Sequence, residues 1–434
     1  MHGAFFISLY YTYFMFKIAP TKVFSVIFFI LLVSGLYTAS FVYVNANTPR
    51  VLGESVKKYP TTFWQHQCVD TMKYSRDTAR AWKGRELELD ALIAKQMDAI
   101  VELGANCVSL GTPYNEEFVP FVGKWVTAAR ARNLHVWFRG NLSEFEGWFS
   151  YPRLTNLGDH HAKIYSYVTS NPELFQEGDI FTPSPESENR ILSSGWGNAN
   201  TTALKNFLVE SFNNCQRAFG YVAKPVQCGY FSSNGDVASK VMDKPTLSKV
   251  GNISVIDHYV KDAARMETDI KNLNSKFGAF VFLGEFGAPI PDINGALTED
   301  QQDKLITSFL DVFYRNRKII RGLNYWTLTG GSTALYNNDL TTHVKAADSI
   351  KKYFKPAQLV GSVTENKKPV VGVSVKVDGV QVAVTDGNGS YSLLLLEGSY
   401  VYTVGGNGYT SKTFSGSVKI GERVNQAVEL NKIK

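Results

Sequence analysis

The chain has 434 residues, which is enough for one large domain with a smaller domain beside it. Hydrophobic residues make up 44% and charged residues 19%, a balance that excludes global disorder and collagen-like repeats. The formal charge of +6 is too small for a chain of this size to indicate nucleic-acid binding.

The first predicted element is an uncharged apolar segment over residues 23–44, which Lys17 and Lys22 precede. Its length matches the roughly 20 residues that span a bilayer. We therefore predict that residues 1–46 are either a cleaved signal peptide or a membrane anchor. Both alternatives place the rest of the chain outside the cytoplasm, either secreted or attached to the cell surface.

Short apolar runs alternate with longer amphipathic segments over residues 59–354, with eight of each. Most of the short runs are continuously apolar, which is typical of parallel strands covered on both faces. The pattern predicts a (β/α)8 barrel over residues 47–356. The predicted strands are residues 62–66, 106–110, 135–139, 179–183, 226–231, 253–257, 279–284 and 322–327. The predicted helices include residues 87–103, 118–132, 202–219, 262–277 and 298–315, and the last one begins with a capping box.

Residues 357–434 have a different composition, with strand-length runs separated by DG, GNG and EG turns. This pattern predicts an all-β module. The segments GSV (361–363), GVSV (372–375), TDGNGSY (385–391) and GSY (398–400) resemble those of the carboxypeptidase regulatory-like domain, a transthyretin-type β-sandwich. The resemblance implies an accessory module without a catalytic site.

Four cysteines, Cys68, Cys107, Cys215 and Cys228, are widely spaced and form no CxxC pair, so no cysteine-based metal site is predicted. In an exported chain Cys215 and Cys228 can form a disulfide. Cys107 and Cys228 lie in apolar strand-like runs, where a buried free thiol is the commoner state. Both alternatives stay open at this point.

Carboxylates follow two of the predicted strands, at the barrel end where active sites form. Glu285 follows the seventh run between Gly284 and Gly287, and Glu186 and Glu188 follow the fourth. Two carboxyls about 5 to 5.5 Å apart across a sugar can act as nucleophile and as acid/base. The sequence therefore predicts retaining glycoside hydrolysis.

With these residues the chain resembles the clan A glycoside hydrolases, barrel enzymes that carry an acid/base Glu after strand 4 and a nucleophilic Glu after strand 7. The resemblance covers residues 60–355. It implies a retaining β-glycoside hydrolase with Glu285 as nucleophile and Glu186 as acid/base, acting on a carbohydrate without cofactor or metal. In the large families an Asn precedes the acid/base, whereas Pro185 precedes it here, so the choice between Glu186 and Glu188 stays open.

The resemblance also implies residues that bind the sugar. Trp326 matches the tryptophan after strand 8 that forms the floor of the subsite before the scissile bond. Tyr259 matches the tyrosine that orients the nucleophile, and His258 beside it is expected to line the site. Arg139 lies where related enzymes place an arginine near the nucleophile.

Further loop residues are candidates for sugar contacts: Asn141, His66, Trp148 and Trp196. For His66 a structural role is an equal alternative, and for the two tryptophans the alternative is anchoring in the core. Asp70, Lys73 and Arg76 are expected to form a salt-bridged scaffold without a chemical role.

Two other functions fit the same pattern. One is a catalytically silent carbohydrate-binding protein displayed on the cell surface, and the retained pair of acids argues against it. The other is a transglycosylase, which uses the same residues but transfers the glycosyl group to a sugar instead of water. The sequence identifies neither the sugar nor the acceptor.

Overall fold

The computed structural model describes residues 59–82, 85–192 and 201–433. The predicted leader or anchor over residues 1–46 and the candidate Trp196 lie outside these ranges. Within them, no helix combines the length and the hydrophobicity needed to cross a membrane. The chain from Pro60 onward forms one compact unit.

The larger part of this unit is built on nine parallel strands. They are β1 His66–Asp70, β2 Cys107–Pro113, β3 His135–Asn141, β4 Ile180–Thr182, β5 Gln227–Cys228, β6 Ser232–Asn234, β7 Ile253–Asp257, β8 Phe280–Phe286 and β9 Ile320–Tyr325. They form a single sheet in the order β5-β4-β3-β2-β1-β9-β8-β7-β6. The predicted parallel, curled α/β sheet is therefore confirmed.

The two edge strands of this sheet, β5 and β6, are consecutive in the chain. Only Gly229, Tyr230 and Phe231 separate them, so they are two parts of a fifth strand and the nine segments occupy eight positions around a barrel. Gly229 has a φ of +100°, and a Cβ there would lie 2.8 Å from the Val250 carbonyl oxygen, which explains the glycine. We call the gap at 229–231 the seam.

Helices cover the outside of the sheet and connect its strands. They are α1 Met72–Ser75, α2 Glu86–Glu102, α3 Val119–Arg130, α4 Ser143–Glu146, α5 Leu157–Ser170, α6 Glu188–Ile191, α7 Thr201–Tyr221, α8 Gly235–Val241, α9 Lys244–Lys249, α10 Ala263–Phe277, α11 Pro291–Asn294, α12 Glu299–Arg315 and α13 Lys345–Phe354. Short 3-10 helices lie at Ala79–Trp82, Glu116–Phe118, Trp148–Ser150 and Pro172–Leu174. All five predicted helices are present, and the capping box of α12 between Thr298 and Gln301 is confirmed.

The first strand begins later than the sequence predicts. It covers His66–Asp70 instead of residues 62–66. The aromatic residues that suggested the earlier start pack among the helices, since Phe63 contacts Tyr314 of α12 and Trp64 contacts Phe354 of α13. As a result Asp70, and not His66, stands at the carboxyl end of the strand.

All four cysteines form disulfides. Cys68 and Cys107 are directly paired residues of β1 and β2, with Cα atoms 4.4 Å apart. Cys215 of α7 is joined to Cys228 of β5. Of the two alternatives, the Cys215–Cys228 disulfide is present, and the expectation of buried free thiols at Cys107 and Cys228 is wrong. Strand register brings Cys68 to Cys107, and the packing of α7 on β5 brings Cys215 to Cys228.

The C-terminal residues form a separate all-β region, as predicted. Its strands are β10 Ala357–Glu365, β11 Lys368–Pro369, β12 Ser374–Val377, β13 Val380–Val384, β14 Ser390–Leu395, β15 Gly398–Gly406, β16 Tyr409–Val418 and β17 Arg423–Glu429. One sheet has the order β11-β10-β14 with β17 paired to β10, and the other has the order β13-β12-β15-β16. Alternating apolar residues such as Val375, Tyr391, Leu393 and Val404 form its own core.

Candidate active site

A buried arginine lies at the carboxyl ends of the barrel strands. Arg139 of β3 is only 1% exposed, and its guanidinium contacts carboxylates from three other strands. Nη1 lies 2.5 Å from Glu285 Oε1 and 3.0 Å from Asp70 Oδ2, and Nη2 lies 3.7 Å from Asp257 Oδ2. The predicted proximity of Arg139 to Glu285 is therefore present in the structure. Because a buried arginine is stable only with such partners, its position and theirs depend on each other.

The second oxygen of Glu285 accepts a hydrogen bond from a tyrosine. The hydroxyl of Tyr259 lies 2.7 Å from Oε2. Burial and the negative charge of Glu285 raise the pKa of Tyr259 well above its usual range, so the phenol keeps its proton and donates it to this bond. One carboxylate thus receives a guanidinium on one oxygen and a phenol on the other, which leaves it fixed at the barrel mouth.

His258 does not line this site, contrary to the sequence expectation. Its imidazole Nε2 lies 3.1 Å from Oδ2 of Asp269 on α10, on the outer side of the barrel. Successive side chains at a strand end point to opposite sides, so only Tyr259 of the adjacent pair reaches the site. The backbone of His258 still contributes, since its N–H donates to the Glu285 carbonyl oxygen at 2.8 Å.

Replacement of Tyr259 tests how much this hydrogen bond contributes. Tyr259→Phe keeps the ring and removes the donor, and a hydrogen bond to a charged group contributes about 1.5 to 3 kcal/mol. If the chain hydrolyses glycosides, kcat for that reaction should fall by roughly 10- to 100-fold while the protein stays folded. Steady-state kinetics and circular dichroism would measure both, and a variant with unchanged kcat would contradict a role for Tyr259 in holding Glu285.

Of the two candidate acids after β4, Glu186 belongs to this cluster. Its pKa is raised to about 8, first by burial and then by repulsion from Glu285, while Arg139 acts in the opposite direction. Its backbone N–H donates across the seam to the Ser232 carbonyl oxygen at 3.0 Å. Its own φ of +48° lies in the left-handed region, which is uncommon for a residue with a side chain.

Glu188 is occupied elsewhere. Its Oε1 accepts from the Asn234 backbone N–H at 3.0 Å, and its Oε2 accepts from the Ser233 hydroxyl at 3.3 Å. Burial raises its pKa to about 7. These bonds tie α6 to the end of β6, whereas the carboxyl of Glu186 lies near enough to Glu285 for the two charges to repel each other.

Two further carboxyls were missed as site residues. Asp70 and Asp257 are the last residues of β1 and β7, and both are buried. Asp70 Oδ1 also accepts from the Met72 N–H at 2.7 Å, and burial raises the pKa of both groups despite the Arg139 charge. Each is the last residue of its strand, a position that the sequence analysis could not assign to Asp70 because it placed β1 at residues 62–66.

Trp326 lies at the same end of the barrel, directly after β9. Its ring is partly exposed, and the Lys73 ammonium lies 5.7 Å from the ring centre. Its backbone N–H donates to the Phe286 carbonyl oxygen at 2.9 Å, which holds it beside the strand that carries Glu285. The position suits the predicted sugar platform.

Asn141 and His66 occupy other roles than sugar contact. Asn141 is fully buried, and its Nδ2 donates to Glu146 at 2.6 Å while its Oδ1 lies 2.8 Å from His160 Nε2. His66 starts β1 opposite Gly322 of β9, at the end of the barrel remote from the carboxylates. Burial lowers its pKa to about 4, so it is a neutral structural histidine.

The loop after β1 is only partly the scaffold that the sequence predicts. Lys73 and Arg76 both form ion pairs with Asp77, at 3.4 and 2.6 Å. Asp70 instead faces Arg139. The Arg76 guanidinium covers the ring of Trp148, 4.6 Å from its centre, which makes this tryptophan part of the scaffold as well. Among the described residues, no group of three or more His, Cys, Asp or Glu side chains is arranged to hold a metal ion.

Comparison with known proteins gives a fold likeness only. No protein-family model matches the chain, and no curated protein is detectably similar. A β-glucuronidase from Bacteroides uniformis is 13% identical, with 78% of this chain and 44% of that chain covered and a TM-score of 0.46. The β-D-glucuronidase from Dictyoglomus thermophilum is 14% identical, with 61% and 47% covered and a TM-score of 0.44.

A xyloglucan-specific β-1,4-glucanase of glycoside hydrolase family 5, from a ruminal metagenomic library, is 12% identical, with 60% of this chain and 86% of that chain covered and a TM-score of 0.46. The chain spans about half the length of the two β-glucuronidases. Similarities of this size assign neither an activity nor a substrate.

Proposed function

We propose that the protein is a retaining β-glycoside hydrolase in which Glu285 is the nucleophile and Glu186 the acid/base. The observation that carries this proposal is the contrast between the two carboxyls. Glu285 is held by Arg139 and Tyr259 as an acceptor. Glu186 has its pKa raised to about 8 and so carries a proton at neutral pH.

The reaction takes two displacements. In the first, a Glu285 oxygen attacks the anomeric carbon while Glu186 gives its proton to the leaving glycosidic oxygen, and a glycosyl ester forms. In the second, Glu186 takes a proton from water, the water oxygen attacks the anomeric carbon, and Glu285 leaves as a carboxylate. Ester formation removes the charge that repels Glu186, so the same carboxyl becomes more acidic when it must act as a base.

The raised pKa of Glu186 predicts a pH dependence. The first displacement requires the protonated acid, so kcat/KM is expected to fall about tenfold per pH unit above pH 8. Glu186→Gln should lose this alkaline limb with an aryl glycoside whose leaving group needs no protonation. An unchanged alkaline limb in that variant would show that another group titrates.

Trapping the ester tests the proposal directly. The full chain and Glu285→Gln are incubated with 2-deoxy-2-fluoro β-glycosyl fluorides of several sugars and examined by mass spectrometry. We expect one glycosyl adduct on Glu285 that is absent from the variant. The donor that reacts shows which sugar the site accepts. Absence of an adduct from every donor, with polysaccharide binding unchanged in the variant, would instead favour a silent binding protein.

The same adduct shows whether water or a sugar accepts the glycosyl group. Release of the fluorosugar by water alone supports a hydrolase, whereas release that requires an added glycoside supports a transglycosylase with the same residues. The resemblance to clan A enzymes and the partly exposed ring of Trp326 at the same end of the barrel as the carboxyls support a poly- or oligosaccharide as the substrate.

We further propose that the protein acts outside the cytoplasm, secreted or anchored through residues 1–46. The apolar leader supports this location. The disulfides Cys68–Cys107 and Cys215–Cys228 support it independently, since disulfides persist mainly in oxidising compartments. In the same proposal residues 47–356 are the hydrolase domain, and residues 357–434 are an accessory carboxypeptidase regulatory-like module.

A further inference from the structure

A buried tyrosine from another loop contacts the turn that carries Glu186. Tyr114 directly follows β2, and its side chain is completely buried. Its hydroxyl donates a hydrogen bond to the carbonyl oxygen of Pro183, the first residue after β4, at a distance of 2.8 Å. Burial raises the pKa of Tyr114 well above its usual range, so the phenol keeps its proton and acts as the donor.

The ring of Tyr114 reaches Pro183 by crossing the strand that lies between β2 and β4. That strand is β3, and the ring passes over Gly140, which follows Arg139. A Cβ at Gly140 would lie only 2.5 Å from Cε1 of the Tyr114 ring, a distance too short for any side chain. The tyrosine can therefore reach the β4 turn because residue 140 is a glycine.

Neighbouring groups fix the position of the ring. It stacks on Phe181 of β4, with ring centres 5.9 Å apart and ring planes inclined by 14°. It also packs against Tyr167 of α5, with ring centres 4.8 Å apart. The Tyr114 backbone N–H donates to the Asn141 carbonyl oxygen at 2.9 Å. Because both the backbone and the ring are held, the hydroxyl has little freedom to move away from Pro183.

The turn needs such contacts because its own backbone supplies few hydrogen bonds. Two of its residues are prolines without an N–H, so residues 183–185 can donate at most one backbone hydrogen bond. Glu186 has a φ of +48°, a conformation that persists only where the surroundings impose it. The N–H of Glu186 donates to the Ser232 carbonyl oxygen at 3.0 Å, and the Tyr114 hydroxyl holds the other end of the turn at Pro183.

We propose that Tyr114 is a positioning residue that holds the Glu186 carboxyl where it can protonate the leaving oxygen. A proline fixes φ but leaves ψ free, so the bond to the Pro183 carbonyl sets the orientation of a peptide plane shortly before the acid. A general acid acts only within hydrogen-bond reach of the atom that it protonates, so a small displacement of the turn slows this step. The inference rests on the proposed role of Glu186 as the acid/base.

The dependence of the rate on the leaving group tests this role. Tyr114→Phe keeps the buried ring and removes the donor, and kcat/KM is measured on aryl β-glycosides of the sugar found by trapping. With phenol as the leaving group, which needs the proton, we expect kcat/KM to fall about tenfold or more. With 2,4-dinitrophenol, which leaves without a proton, we expect a loss of less than about twofold. A variant that merely contained less folded protein would lose both substrates equally.

Tyr167→Phe is the matched control. Tyr167 is also buried and packs against Tyr114, but its hydroxyl has no hydrogen-bond partner among the described residues. Its removal should change neither substrate. The proposal would be overturned by an unchanged rate on the phenyl glycoside in Tyr114→Phe, by equal losses on the two substrates, or by the same selective loss in Tyr167→Phe.

A carboxyl titration needs no substrate and reports the position of the acid. The full chain is labelled with 13C at the glutamate carboxyls, and the Glu186 signal is identified by its loss in Glu186→Gln. Burial is the main cause that raises the pKa of Glu186 to about 8, so a loosened turn that admits water should lower its midpoint by about half a pH unit or more in Tyr114→Phe. Tyr167→Phe should leave the midpoint unchanged. Neither variant removes a charged group that acts on Glu186, and these groups are Glu285, Arg139, Glu188 and Glu146.

The titration also separates this inference from the proposed function. If no adduct forms on Glu285 but the midpoint moves in Tyr114→Phe alone, the proposed function is wrong and Tyr114 still sets the position of the carboxyl. If the adduct forms and the midpoint stays unchanged, the proposed function stands and the role of Tyr114 is wrong.

Discussion

Glu285→Gln is expected to abolish glycoside hydrolysis. The amide has almost the same shape, but it cannot form the glycosyl ester and it removes the charge that faces the developing positive charge on the sugar. The loss in kcat should exceed the roughly 10²- to 10⁴-fold that a single acid–base group contributes. Initial rates with an aryl β-glycoside of the sugar found by trapping would measure it.

The control for this variant is Glu188→Gln, which changes a neighbouring buried carboxyl that is bonded to the end of β6. We expect a much smaller loss there. A third variant, Glu285→Gly, opens space on the nucleophile side, so added azide should restore turnover and give a glycosyl azide of inverted configuration. Equal losses in the two glutamine variants, with no azide product, would remove Glu285 from the reaction.

Arg139→Met is expected to destabilise the barrel strongly as well as inactivate it. The side chain is 1% exposed and lies among Asp70, Asp257 and Glu285, so its removal leaves buried carboxyls without a counter-charge. Breaking a buried ion pair in this way costs about 3 to 5 kcal/mol in the free energy of unfolding. Urea unfolding followed by tryptophan fluorescence would measure the change.

Arg132→Met provides the comparison for Arg139. Arg132 pairs with Asp98 at 2.6 Å, but that aspartate is 67% exposed. An exposed pair contributes about 0 to 1 kcal/mol, so this variant should unfold almost as the wild type does. If the two methionine variants were equally stable, Arg139 would not organise the carboxylates as we infer.

The barrel could be predicted because its strands are apolar runs and its helices are amphipathic, and both are local properties of the chain. The start of β1 could not be predicted, because Phe63 and Trp64 are typical strand residues. In the structure they pack against Tyr314 and Phe354 instead. Those partners are about 250 to 290 residues away, and nothing in the local sequence identifies them.

Some features of the site could likewise be predicted from the sequence and others could not. Glu285 could be found because it stands directly after an apolar strand-like run, whereas Arg139 and Tyr259 followed from the resemblance to clan A enzymes. The hydrogen bonds that Asn141 and Trp148 donate to Glu146 could not be predicted, because only the folded loop brings these side chains together. The Cys68–Cys107 disulfide likewise depends on the register between two strands.

The seam in the fifth strand makes the backbone pairing on the two sides of the carboxylate cluster unequal. On one side, Glu285 lies in β8, which pairs with both β7 and β9 although the register shifts next to Glu285. On the other side, the ladder stops at Cys228 and resumes at Ser232, and the turn that carries Glu186 bonds to the resumed part. Fewer backbone bonds must break for local opening at the seam, so we expect the barrel to open first beside the turn that carries Glu186, which amide hydrogen exchange would report.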